Sequence, residues 1–327
     1  MADRARHPAG PGGAGAAMTE GAWVLLVACG LDLTFGEPPN VAHPVAWMGR
    51  AIAWLHHSGR RRAPAVAFLL GSVGVLGGVA VVAGIAWGLL VLLAEAPAAL
   101  RIGTEAVLLK STVSLRRLLG AAEEVRHALE QADLAEARSQ LGHHLVSRPT
   151  QDLSPDEVAC ATVESLAENF TDAVVAPILW FLLLGIPGAL AYRFVNTADA
   201  MLGYQDPERE WLGKPAARLD DLLNWVPARL ATLLLLASGW LIGASILNGL
   251  RVWHRDSGTT ASPNAGQTMA TMAGLLRVQL TKRGQYALGD PLSPLTAETI
   301  VRAQRLVGAA MALAVGWGIG ALALLGR

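Results

Sequence analysis

The sequence predicts an all-α fold: a polytopic helical membrane protein with about four to five membrane helices and a helical extramembrane segment. Three observations carry that expectation. Only 16% of the 327 residues are charged and 53% are hydrophobic, with a mean hydropathy of +0.40, whereas soluble domains carry about 25% charged residues. From Ala63 to Ala94 there is no charged side chain, a run longer than the ~20 residues that cross the hydrocarbon core. Further apolar runs follow without strand alternation, and in lipid every backbone group must be bonded internally, so such runs are helices.

Taken in order, residues 1–20 are rich in Gly, Ala and Pro and read as a loose N-terminal tail, and 21–327 as a single integral-membrane domain. Gly21–Leu31 is the weakest span, short and ending at Asp32. Asp32, Gly36, Glu37, Pro38, His43 and Pro44 then form a rigid polar loop, in which a lone histidine is more often a structural hydrogen-bonder than a base. The run 63–94 is flanked by Arg60, Arg61, Arg62 and by Glu95. Residues 95–173 read as polar helices, with apolar positions at helical spacing over Ser111–Leu145. Ser154, Pro155 and Glu157 make a capping-box helix start. Val174–Tyr192, Leu230–Leu250 and Leu306–Gly326 are the remaining spans.

Charge excludes some functions. With 26 basic and 26 acidic residues there is no field to hold a polyanion, so nucleic acid is not an expected partner. Two cysteines, Cys29 and Cys160, provide neither a disulfide framework nor a cysteine metal site. No lysine-bearing phosphate loop, dinucleotide glycine fingerprint, histidine pair at zinc spacing or serine elbow occurs.

The chemistry-bearing residues sit beside the apolar runs, where unpaired charge is costly. Glu164, Glu168 and Asp172 recur every four residues with Asn169 beside them, which places the carboxylates along one helix face at ~6 Å steps. Their repulsion is relieved by a cation, and oxygen ligands suit magnesium. A solvated helix face is the plainer reading. Asn196 and Asp199 share a face three residues apart. Around Arg218–Arg229 two pairings are open, Asp220 with Asn224 and Arg218 with Asp221. Trp225 before Pro227 reads as an interfacial anchor. The turn Ser262, Pro263, Asn264, Ala265, Gly266 opens a helix and forms either an anion seat or an ordinary cap.

Five of these stretches together resemble one family. The early DLTFGEPPNVAHPVAWMGR (Asp32 to Arg50), ESLAENFTDAVVAP (Glu164 to Pro177), NTADAMLGY (Asn196 to Tyr204), ARLDDLLNWVPARL (Ala217 to Leu230) and SPNAG (Ser262 to Gly266) look like the CobD/CbiB family of cobalamin-biosynthesis membrane proteins. Ala42, the pair Gln267 and Thr268, and the pair Ala287 and Leu288 depart from the usual family pattern. The resemblance implies an adenosylcobinamide-phosphate synthase: an ATP-dependent ligase joining adenosylcobyric acid to aminopropanol or its O-phosphate through an amide, in the cell membrane. It implies Mg2+ and ATP, with Glu164, Glu168, Asp172 and Asp220 facing the metal and Asp199 or Asp221 completing the Mg-ATP site. Lys214, Arg218 and Arg229 would neutralise phosphate charge. Asn169, Asn196, Asn224 and Asn264 would orient substrate groups, with Ser262 and Gly266 in the turn, and Glu168 or His43 would act as base. Other enzymes of the cobalamin pathway are further candidate partners. A corrinoid transporter or a membrane scaffold for pathway enzymes is the alternative, since intramembrane polar residues and a broken helix also mark substrate pathways.

One geometric problem stands. If all five runs cross, loops 32–62 and 193–229 face one side and 95–173 and 251–305 the other. The break at Gly185, Ile186, Pro187 and Gly188 offers a way out, since a re-entrant helix there would bring the Glu164 and Asp199 motifs to one face.

Overall fold

Fully apolar stretches form long helices and the mixed stretches form short amphipathic ones. A computed structural model describes residues 18–36, 41, 43–59, 61–203, 206 and 209–326. The expected tail over residues 1–17, with Glu37, Pro38, Ala42, Arg60 and Tyr204, lies outside the described residues. The helices are α1 (Glu20–Phe35), α2 (Pro44–Gly59), α3 (Pro64–Leu92), α4 (Ala98–Lys110), α5 (Leu115–Glu130), α6 (Leu134–His144), α7 (Pro155–Phe170), α8 (Ala176–Leu202), α9 (Glu210–Leu223), α10 (Trp225–Leu241), α11 (Ile246–Asp256), α12 (Ala265–Leu276) and α13 (Ala297–Leu325). Among the described residues, three helical stretches pass for membrane spans by length and composition alone, namely α3, α13 and Pro155–Leu202, the last of which is broken at Gly185, or four if the bent pair α9 and α10 counts as one. α3 buries only Ala67, Gly71, Val75 and Ala86 against the rest of the chain, as expected of a helix facing lipid on most sides. α13 buries Leu306, Val307, Ala310, Met311, Ala314, Gly318 and Leu322, a stripe at helical spacing.

Two of the expected spans turn back. α7 runs through a π-helical turn, Thr171–Val175, into α8. Within α8, Gly185 has φ +67° and ψ −159°, a conformation open essentially to glycine alone. Tyr192 Oη lies 3.5 Å from Asp172 Oδ1, 20 residues earlier. A straight helix would separate those residues by ~30 Å. The chain therefore folds back at Gly185, and Val174–Tyr192 is a helical hairpin whose arms are too short to cross ~30 Å of hydrocarbon. The Leu230–Leu250 run is divided too: α10 ends at Leu241, and α11 begins at Ile246 after a turn through Gly243 at φ +75°. α11 returns along α12, where Asn248 Nδ2 donates to Gly274 O at 2.8 Å, and the following loop arrives back at the start of α10. The weak run Gly21–Leu31 lies within the 16-residue α1.

Asp32 closes the N-terminal part. Its Oδ2 accepts from the amides of Leu115 (2.9 Å) and Arg116 (3.0 Å) at the start of α5, and its Oδ1 lies 3.7 Å from Lys110 Nζ. Asp32 is thus an N-terminal cap supplied from across the fold, favourable to the helix dipole. The capping box forms as expected, with the Ser154 amide donating to Glu157 Oε2 at 2.9 Å. The sequence reading contained no strands. The described residues hold one antiparallel hairpin, β1 (Gln279–Lys282) with β2 (Tyr286–Gly289), lying against α7 and α12.

Candidate active site

The two turn-backs bring four distant motifs to one cavity of about 450 Å³. The first comes from α7 and the π-turn, which present Glu168, Thr171 and Asp172; the second is the end of α8, which presents Asp199 and Gly203. α9 adds Glu210, Lys214, Arg218, Asp220 and Asp221, and the turn before α12 adds Ser262 and Asn264. Asn224, at the 47° bend between α9 and α10, closes the wall. The π-turn is a usual marker of a functional position in a helix. It alters the pitch between Glu168 and Asp172, so both face the same space.

Asp220 is the most tightly held acid. Its Oδ1 accepts from Asn196 Nδ2 at 3.3 Å and its Oδ2 from Asn224 Nδ2 at 3.0 Å. Asn224 Oδ1 in turn accepts from the buried Tyr192 hydroxyl at 2.9 Å. Asp221 is tied to the Ser262 turn: Ser262 Oγ donates to its Oδ1 at 3.0 Å and Asn264 Nδ2 to its backbone carbonyl at 2.7 Å. Arg218 lies 3.8 Å from Asp221 with its side chain 76% exposed, so its guanidinium can swing toward a ligand. Lys214 stands 3.7 Å from Glu210 and over the Trp211 ring. Gly203 is required by Asp199: a Cβ there would sit 2.1 Å from Asp199 Oδ1.

Not every expected site residue reaches this cavity. Glu164 lies in a neighbouring, smaller cavity, and Glu168 lines both. Asn169 Nδ2 is bonded to the Ser165 carbonyl one turn back. Arg229 stacks on Trp225 and donates to its carbonyl at 2.7 Å and to Asn264 Oδ1 at 3.4 Å, so it braces the wall, and Trp225 is its stacking partner. The Ser262 turn uses most of its own amides internally, as an ordinary cap does. The Gly266 amide donates to Thr260 Oγ1, the Asn264 amide to Ser262 Oγ and the Gln267 amide to the Asn264 carbonyl, so these donors are already used inside the turn. His43 Nδ1 accepts the Val45 amide at 3.2 Å and lines neither cavity. Asn196 acts on Asp220 from behind the wall.

Sequence reading missed Thr171 and Glu210 in the main cavity, and Arg148, Lys282 and Tyr286 in the smaller one. Gly284, at φ +71° between two short alternating runs, was the available signal for the hairpin carrying the last two. Burial, together with Glu164 and Glu168 close by, pushes the Tyr286 hydroxyl well above its ordinary value, so it stays protonated.

The donors fit magnesium chemistry in a particular way. Glu168, Asp172, Asp199, Asp220 and Asp221 are hard oxygen ligands around one cavity, but among the described residues no three His, Cys, Asp or Glu side chains form a ready-made metal cage. Mg2+ does not require such a cage, since it commonly keeps several waters and binds through one or two carboxylates plus substrate phosphates.

The sequence model of the family described as CobD/Cbib protein matches residues 25–307. A probable cobalamin biosynthesis protein CobD of Methanothermobacter thermautotrophicus is 42% identical over 286 residues, covering 86% of this chain and 92% of that protein. Cobalamin biosynthesis protein CobD of Dehalococcoides mccartyi is 41% identical, covering 85% and 89%. Cobalamin biosynthesis protein CbiB of Salmonella typhimurium is 36% identical over 308 residues, covering 91% and 96%. No solved structure matches the chain.

Proposed function

Because the chain belongs to the CobD/CbiB family of cobalamin-biosynthesis proteins, with several apolar helices that make it a multi-pass membrane protein, we propose that its main cavity is the active site of an ATP-dependent, amide-forming ligase. Its substrates are adenosylcobyric acid and aminopropanol or its O-phosphate, and the bilayer is the cell membrane. The observation that carries this reading is the convergence of Glu168, Asp172, Asp199, Asp220 and Asp221 with Lys214 and Arg218 in one cavity. An all-acidic cavity would repel a polyphosphate. One that combines carboxylates for a metal with mobile cations suits it.

An ionised carboxylate does not acylate an amine in water, so it must first be activated. A carboxylate oxygen of the corrinoid attacks the terminal phosphorus of ATP and the bond to ADP breaks, leaving an acyl phosphate. Arg218 and Lys214 neutralise charge on the transferring group. Glu168 takes a proton from the incoming ammonium; the freed nitrogen attacks the acyl carbon, and phosphate leaves with the former carboxylate oxygen. Asp220, with both oxygens clamped by Asn196 and Asn224, is pre-positioned to bind a metal. Magnesium would be held by Asp220 with Asp172 or Asp199 and would supply positive charge to offset the phosphate charge.

The test is purified, detergent-solubilised protein given adenosylcobyric acid, the amine and Mg-ATP. Amide product with equimolar ADP supports the ligase, and Glu168→Ala, still inserted and folded, gives none. Corrinoid binding without turnover favours carriage or scaffolding instead.

A further inference from the structure

Away from the carboxylates, a groove of about 470 Å³ runs between α2 and α3, and every residue that lines it is apolar. That volume lies within the ~300–1,000 Å³ of sites that enclose a whole small ligand. The floor is α8, which contributes the buried Leu190 and Phe194. Two glycines of α3 let the neighbouring helices approach. A Cβ on Gly78 would lie 2.1 Å from the Phe194 ring, and one on Gly74 would lie 2.5 Å from Leu55 of α2. The sides are formed by Trp47 and Trp54 of α2 and by Val81, Ile85 and Leu89 of α3. Trp47 is 51% and Trp54 72% exposed, so the rim is uncovered. The Trp47 indole N–H donates to the Val41 carbonyl at 2.8 Å, which leaves its ring as an apolar lip.

What covers the groove follows from where it lies. α3 is the uncharged run that buries little of its surface against the chain and meets membrane length and composition, so the groove is a recess in lipid-facing surface. From Gly74 to Leu89 it follows α3 for ~22 Å, more than the ~15 Å depth of one leaflet's hydrocarbon. An acyl chain can therefore lie along it from end to end. Charge adds the second half of the argument. Between Glu37 and Glu95 the sequence has no acidic residue but carries Arg50, Arg60, Arg61 and Arg62. α2 ends at Gly59, one turn beyond Leu55, and the exposed Arg61 and Arg62 follow at once. The cations thus stand over the end of the groove where Leu55 meets Gly74.

We propose that the groove between α2 and α3 seats one acyl chain of an anionic phospholipid, whose phosphate is held by Arg61 and Arg62 where α2 turns into α3. The proposal goes beyond the ligase reading and rests only on the placement of α3 in a membrane. A neutral lipid would fill the recess equally well, but each basic residue at a membrane surface favours an anionic lipid by about fivefold. The tryptophan rims suit the same occupant, because indole rings settle at the level of the headgroups.

Native mass spectrometry of the full-length protein tests this after the protein is purified in detergent, stripped of lipid and titrated with phosphatidylglycerol or phosphatidylcholine of identical chains. One phosphatidylglycerol stays on each chain, held at least about tenfold more tightly than phosphatidylcholine. Ala51→Phe, at an exposed position in the groove, fills the recess and weakens retention of both lipids by about tenfold. Should that variant fail to fold, Val81→Phe, on the opposite side of the groove and also exposed, makes the same test. Arg61→Gln combined with Arg62→Gln removes the preference for phosphatidylglycerol and leaves phosphatidylcholine retention as it was. Leu76→Phe, exposed on α3 outside the groove, changes neither. Equal retention of the two lipids, a preference that survives loss of both arginines, or a loss with Leu76→Phe as large as with Ala51→Phe overturns the assignment and leaves only loosely held boundary lipid. A dimer that Ala51→Phe dissociates also overturns it, and makes a second copy of the chain the occupant.

Discussion

Tyr192→Phe isolates the chain of hydrogen bonds that aims Asp220 into the cavity. The substitution removes one oxygen and no packing volume, from a side chain 1% exposed. The lost hydroxyl donates at 2.9 Å to Oδ1 of Asn224, itself 2% exposed, and Asn224 Nδ2 holds Asp220 Oδ2 at 3.0 Å. Removing the donor leaves a buried carbonyl oxygen without its partner, a cost of about 1–3 kcal/mol. For a chain of this size that lowers Tm by about 2–6 °C. Asn224, no longer fixed from behind, also loses its grip on Asp220, so product formation falls by about tenfold or more. Thermal melts in detergent and initial rates of ADP release read the two effects on one preparation. A double-mutant cycle with Asn224→Ala gives a coupling of about 0.5–3 kcal/mol. A Tyr192→Phe protein that melts and turns over like the parent refutes the relay.

Gly203→Ala places a methyl 2.1 Å from Asp199 Oδ1 and 2.8 Å from its backbone carbonyl; the carboxylate swings away and the helix end shifts, so activity drops about tenfold and denaturation shows a loss of about 1–3 kcal/mol. Asp32→Asn removes the carboxylate facing buried Lys110 and weakens the cap on α5, destabilising the fold by about 1–3 kcal/mol in the same denaturation assay; a wild-type curve contradicts the capping role. Asp256 is held below the usual carboxylate range by Arg255, despite its burial, with the Gly289 amide adding to the effect. A lowered folded value means this stabilisation is complete above about pH 4, the unfolded value, and is lost as pH falls through the folded one. Melts across about pH 3–7 therefore show an acid limb that Asp256→Asn flattens, and an unchanged limb counts against the pairing.

The uniform elements of this fold were legible because one signal decides them. The uncharged stretch 63–94 becomes α3, and Ser154 with Glu157 caps α7. Local pairings were legible too: Asp220 with Asn224 and Arg218 with Asp221 both form at their helical spacings. What failed was inference from hydropathy about where the chain travels. The runs 174–192 and 230–250 have the composition of crossing helices; the break at 185–188 marked in the sequence where the first turns back, whereas the turn through Gly243 that divides the second carried no such mark, and hydropathy carries no information about a torsion. That is why loops expected on opposite faces share a cavity. Residue type also misled where the competing partner is close in sequence. Gly266 is bonded by Thr260, Asn169 by Ser165 and Arg229 by Trp225, local bonds that remove each from the cavity. Arg148 and Lys282 lie on a loop and a strand with no helical period, so no pattern linked them to Glu164.

The central claim is that the carboxyl carbon becomes an acyl phosphate before the amine attacks. Adenosylcobyric acid labelled with 18O in its free carboxylate, incubated with the protein, the amine and Mg-ATP, tests it most directly by mass spectrometry of the released phosphate. The account predicts one 18O atom in each inorganic phosphate formed and ADP without label. Label appearing in AMP, or phosphate released with no 18O, contradicts it.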